Sequence, residues 1–198
     1  MIPDTLSQPN SKTRISRIGL TSCIGLLAAC HHPLPKPMGQ LRLEYPKAAY
    51  SHFSPRGCPF SFEKSIYAKA EPADGAYWYN LKYPKMKATL YLTYKNIDGN
   101  YEKLIQEVEK FTYKHAIKAS YISNQPYVNP SDSVYGMLFR VGGAAASNVQ
   151  FYASDRVRHL LSGSLYFYTP PNPDSLQPAI QYLEKDIEHL METLRWQR

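Results

Sequence analysis

The chain lacks any apolar run long enough to cross a membrane, has little cysteine, and carries none of the common catalytic signatures. Its one extended apolar stretch, Ile18 to Leu27 (IGLTSCIGLL), has ten residues, whereas a spanning helix needs about 20. There is no Gly-x-Ser-x-Gly elbow, no His-Glu-x-x-His pair and no phosphate loop ending in Gly-Lys-Ser/Thr. Gly142-Gly143-Ala144-Ala145-Ala146-Ser147 is small and flexible but has neither the lysine nor the helix start of a phosphate cradle, and it reads as a tight connection between strands. The net charge is +7, yet no clustered Lys/Arg run accompanies it, so nucleic acid is excluded as a partner class.

What the N-terminus does have is a processing pattern. Lys12, Arg14 and Arg17 precede the apolar stretch, and small residues close it. That order marks a secretory signal. Cleavage after Ala29 in the ordinary way would place Leu27 at −3, where a small residue is wanted. Leu27-Ala28-Ala29-Cys30 instead fits a lipobox, with Cys30 becoming the mature N-terminus and its sulfur taking a diacylglycerol. Stable attachment needs two or more acyl chains, since each buried CH₂ contributes roughly 0.8 kcal/mol. Residues 1–29 are therefore read as a lipoprotein signal peptide. Cys23 departs with it and Cys30 is lipidated, so Cys58 has no partner for an intramolecular disulfide and reads as a small buried hydrophobe.

Residues 30–40 form the lipidated end and its tether. His31 to Gly39 holds three prolines in nine residues, a composition with polyproline character that lifts a domain off a surface. The pair His31 and His32 is too loosely held there to make a metal site. Residues 41–198 read as a single domain of ordinary size.

Within it, apolar residues alternate over Phe60–Ile66, Tyr77–Tyr83 and Ala88–Tyr94, then over Val134–Val141, Asn148–Ser154 and Leu160–Tyr168. Pro84-Lys85-Met86-Lys87 and Asp155-Arg156 are turn candidates. Two segments follow helical spacing: Tyr101, Leu104, Ile105, Val108, Phe111 and His115 in the first, fading near Ser120, and Leu176, Ile180, Leu183, Ile187, Leu190 and Leu194 in the second. Ser175 is the expected N-cap of the second helix, with Arg195 and Arg198 favourable at its end. The order strands, helix, strands, helix, with hairpin-length connections, predicts an α+β domain: a mostly antiparallel β-sheet of about six or seven strands covered by two helices on one face. In general look it resembles PsbP and Mog1-like domains.

The segments CPFSFEKSIYAKA, YPKMKATLYLTYK and TYKHAIKAS, and the stretch from Val134 to Trp196, carry a more specific likeness. With Cys58-Pro59-Phe60, Tyr113-Lys114-His115, Val149-Gln150-Phe151 and Pro171-Asn172-Pro173-Asp174-Ser175-Leu176, the sequence from about Leu41 to Trp196 resembles the gliding motility lipoprotein GldD family of the Bacteroidetes. The resemblance implies a lipid-anchored envelope component needed for gliding and linked to type IX secretion. It implies no enzymatic activity and no cofactor, and so no catalytic residues. Surface-exported lipoproteins of that phylum tend to carry acids directly after the cysteine. Here His31-His32-Pro33-Leu34-Pro35-Lys36 has none, so the domain is expected to face the periplasm; the tether does not say which membrane holds the anchor, and the outer one is favoured over the inner.

Other candidate residues read as structural. His115 lies on an apolar stripe, and His189 falls off one, between Glu188 and Glu192. Glu184, Asp186 and Glu188 take a surface phase, with nothing to fix them in a cleft. The remaining oddity is tyrosine, with 17 residues. Tyr77, Tyr79, Tyr83 and Tyr91 alternate on expected strands of a half-open sheet. They are read as candidates for a partner interface, because tyrosine is apolar in body, polar at the tip and enriched at binding hot spots. Other gliding and secretion envelope proteins are the expected partners. The alternative is a module binding peptidoglycan or surface polysaccharide through aromatic platforms.

Overall fold

The computed structural model describes residues 44–115, 119–168 and 173–197. The leader, the Leu27-Ala28-Ala29 motif, Cys30 and the proline tether lie outside those residues. A small strand pair comes first, β1 (Tyr50–Phe53) and β2 (Phe60–Ser65). Then follow β3 (Lys69–Pro72), β4 (Tyr79–Tyr83), β5 (Ala88–Asn96) and α1 (Tyr101–His115). The second half runs β6 (Ala119–Asn129), β7 (Val134–Gly143), β8 (Ser147–Ser154), β9 (His159–Phe167), α2 (Pro173–Thr193) and β10 (Arg195–Trp196).

Seven strands make one antiparallel sheet in the order β3-β4-β5-β9-β8-β7-β6, and β1, β2 and β10 make a second, small one. The fold is α+β, as the alternation of strand and helix patterns predicts. Both major hairpin turns use the same device. Pro84–Met86 and Pro130–Asp132 are single 3₁₀ turns, each closed by a left-handed residue, Lys87 or Ser133. Proline presets the first φ of such a turn. At the β7–β8 hairpin, Gly143 takes φ +88, the left-handed conformation that favours glycine.

The two helices lie on opposite faces of the large sheet, not on one. Residues paired across neighbouring strands point the same way, and alternate pairs point oppositely. Leu90, Leu161, Phe151 and Leu138 form one buried cluster with Ile180, Leu183, Ile187 and Leu190 of α2. Leu160, Tyr152 and Phe139, each one residue out of phase, form another cluster with Leu104 of α1. The chain leaves β5, crosses the back of the sheet as α1 and re-enters at the far edge as β6. A helix in that link can cover only the face it crosses. The α2 face is further closed by β2, whose Phe60 and Phe62 are fully buried. Each of these side chains contributes roughly 2–3 kcal/mol of apolar burial.

Some local expectations shift. The first helix ends at His115, short of Ser120. β6 takes up the chain from Ala119, and its 11 residues carry no apolar alternation. It is an edge strand, half-exposed along its length, and an edge tolerates Pro126. Ile66 falls just past β2 and is exposed. α2 starts at Pro173, before Ser175, so Pro173 is its first residue, where a proline's missing N–H costs nothing. Pro178 consequently sits inside the helix.

Candidate functional site

The four tyrosines singled out by alternation do not share a surface. Tyr77 precedes β4 in a left-handed turn, φ +61. It is 41% exposed, with its ring set edge-on to Tyr94. Tyr79 faces the α2 side, edge-on to Phe53. Tyr83 lies beside it on the same side and is buried. Burial, reinforced by the Asp186 carboxylate, holds its hydroxyl well above the ordinary pKa. Tyr91 is exposed, but on the opposite face. The alternation is real, yet the face it marks on β4 is the core face, so Tyr83 is not part of an open surface.

Tyr91 opens onto a concave groove. A groove of about 710 Å³ runs between the second half of α1 and the β5–β9 strand pair. That volume is in the range of small-ligand sites. Tyr91 and Tyr166 meet edge to face at 5.5 Å. The Tyr91 and Tyr168 hydroxyls are 2.7 Å apart, and Tyr168 donates to Thr89 Oγ1 at 3.0 Å. The bond to Tyr168, together with burial, pushes Tyr91 up to about 12. Tyr168 is drawn below its ordinary value, because Thr89 and Tyr91 can both turn donors to its phenolate.

The two charged residues of the groove neutralise each other. Lys95 Nζ is 2.8 Å from Glu107 Oε2, linking β5 to α1. On the floor, Thr112 Oγ1 lies 3.1 Å from both Val108 O and Gln150 Oε1. Gln150 is 2% exposed, and its Nε2 has no hydrogen-bond partner. Sequence reasoning missed this glutamine. It alternates with Val149 and Phe151, and nothing in the strand pattern reveals that α1 covers the second face.

Elsewhere, two polar residues are placed differently from the sequence expectation. Asp186 is buried, not on the surface, and faces the hydroxyls of Tyr50, Ser65 and Tyr83. Its Oδ2 and Ser65 Oγ nonetheless lack a hydrogen bond of good geometry. Burial raises the Asp186 carboxyl above its ordinary pKa despite those hydroxyls. His189 is not simply solvated: its Nε2 is 2.7 Å from Glu63 Oε2, and its ring stacks on Tyr50 at 3.7 Å. Glu184 and Glu188 both engage Arg140 of β7. Cys58 is a buried free thiol, pushed up in pKa by desolvation. Arg195 donates to the carbonyls of Glu192 and Leu194, at the end of α2 where cations are favoured. His115 closes α1, and its side chain lies outside the described residues.

Among the described residues no three His, Cys, Asp or Glu side chains converge to hold a metal, and no helix is long and apolar enough to cross a membrane. No individually curated protein matches the sequence. A family model described as gliding motility lipoprotein GldD matches residues 30–196. That match covers most of the chain, and the chain belongs to the gliding motility lipoprotein GldD family.

Proposed function

We propose that the mature chain is held in the cell envelope by lipid on Cys30 and performs no chemistry of its own there. It assembles or stabilises the proteins that drive gliding and type IX secretion. One observation carries this reading: the family match opens at residue 30. The leader pattern makes that same residue the new N-terminus. A match that leaves out the leader but takes in the cysteine and tether supports a mature protein that begins with its anchor. The domain faces the periplasm, a reading supported by the acid-free tether His31-His32-Pro33-Leu34-Pro35-Lys36, and its anchor is placed in the outer membrane. Tyr77, one of the two exposed candidate tyrosines, offers rigid aromatic contact area to a partner.

Affinity purification of the lipidated protein from native envelopes tests this. The expected result is co-recovery of other gliding and secretion proteins, reduced in Tyr77→Ala. Recovery of this protein alone, from cells with intact secretion, overturns it.

A further inference from the structure

We propose that the groove between α1 and the β5–β9 pair is a binding site for a neutral glycan of N-acetylated amino sugars. This does not rest on the partner-docking reading, because neither binding event requires the other.

The floor sets the chemistry. A buried amide group without a hydrogen bond forfeits its solvation uncompensated, and Gln150 Nε2 is such a group. The Thr112 hydroxyl has a single proton, with Val108 O and the Gln150 amide both at 3.1 Å. If that proton goes to Val108, the Gln150 amide turns over to donate to Thr112, and its oxygen becomes the orphan instead. Either way one polar end of a buried amide is left unmet at the base of the groove. A secondary amide, which carries both C=O and N–H, answers either orientation. An aliphatic chain answers neither.

The walls select among amides. Tyr91, Tyr166 and Phe111 line the groove, and aromatic faces, negative in their quadrupole, attract the slightly positive C–H face of a sugar ring. Thr93, Ser162 and Ser164 add short hydroxyls to the wall formed by β5 and β9. That mixture of ring faces and hydroxyls matches a sugar, which is apolar on one side and polar at its edge. Lys95 and Glu107 are spent on each other, so no free charge is offered to an anionic or cationic ligand. A peptide also carries secondary amides, but the groove lies over central strands of the sheet. It presents no open strand edge on which an extended backbone could pair.

The test uses the full-length lipidated protein in detergent micelles and titration calorimetry. Tri-N-acetylchitotriose is compared with cellotriose, which lacks the acetamido groups, and with a blocked alanine tripeptide. The acetylated sugar is expected to bind roughly tenfold more tightly than either, the factor expected of one buried hydrogen bond. Gln150→Leu, which keeps the volume and removes the amide, should abolish that preference. Tyr91→Ala, at an exposed position, should weaken binding of both sugars. Equal binding of cellotriose, tighter binding of the tripeptide, or no binding of any of the three overturns the proposal. Should Gln150→Leu misfold by circular dichroism, the ligand comparison and Tyr91→Ala still decide.

Discussion

Tyr94 of β5 and His159 of β9 share a 2.7 Å hydrogen bond between Oη and Nδ1, and the imidazole stacks on Trp196 with ring centres 5.3 Å apart. The other ring nitrogen, Nε2, is buried without a hydrogen-bond partner, and Asp155 Oδ2 is 4.0 Å away. Desolvation outweighs Asp155, so the His159 pKa is lowered from 6.5. A depressed histidine favours folding in its neutral form. That contribution is whole above pH 6.5 and is lost as pH falls through the folded value. Because an imidazolium quenches a stacked indole, Trp196 emission should drop on acidification with a midpoint below 6.5. Fluorescence titration of the wild type and of His159→Gln checks this. An identical titration in the variant refutes it.

Asp186 has the opposite sense. Its carboxyl is raised by burial, so folding favours the protonated acid. The stabilisation is full below 3.8, the ordinary value, and is lost as pH rises through the folded one. Asp186→Asn keeps a polar group facing Tyr50 and Tyr83 without the buried charge. Its stability relative to wild type should therefore increase from pH 4 to pH 8. Urea denaturation at the two pH values measures the difference, and a pH-independent difference argues against a buried charge.

Arg140 binds three groups at once: Glu184 and Glu188 on α2, and Gln125 on the edge strand β6. Arg140→Met should cost about 1–2 kcal/mol, because the ion pairs are partly buried and their loss leaves two acids one helical turn apart. Arg140→Lys should recover only part of this, since an ammonium cannot make three fixed contacts. Denaturation in low and high salt checks both variants. A large loss that is independent of salt would point to packing instead.

Leu183 is 1% exposed, at the centre of the stripe that α2 sets against the sheet. Leu183→Ala should lower stability by about 2–5 kcal/mol, the usual range for a buried leucine in a core that cannot collapse around the gap. Gly163 is a stricter position. A Cβ there would sit 2.1 Å from the Phe151 ring, so Gly163→Ala should disrupt the β8–β9 pairing and deform the groove as well. Thermal melts of the two variants test this.

How much of this was legible in the sequence depends on what each residue touches. β4, β5, β7, β8 and β9 have an apolar face against the core, so their alternation showed. β6 is a polar edge strand with a proline, and β1, β3 and β10 are too short to carry a period. Asp186 was readable in principle: three residues after Leu183 and four before Leu190, it shares their helical face. Treating an acid as solvated hid it. The groove was not readable, because strand alternation cannot say which face a distant helix will cover. Gln150 is buried only because α1 lies across it.

The anchor is the feature on which the proposed function turns. If the domain acts by holding partners beside the membrane, attachment raises its effective concentration there without any new contact. Cys30→Ala removes the acylated sulfur and leaves every residue of the folded domain unchanged. Placed behind a leader that an ordinary signal peptidase cleaves, the variant should keep the wild-type circular dichroism spectrum and melting temperature, appear in the soluble fraction, and fail to restore colony spreading and secretion to a deletion strain. Replacing the leader and Cys30 with a transmembrane anchor followed by the same tether should restore both, because position matters and the lipid's chemistry does not. Full activity from the soluble Cys30→Ala protein would show that the domain acts without its anchor and would refute the proposed role. A failure to rescue with the transmembrane anchor would instead locate the requirement in the lipid or in the membrane it selects.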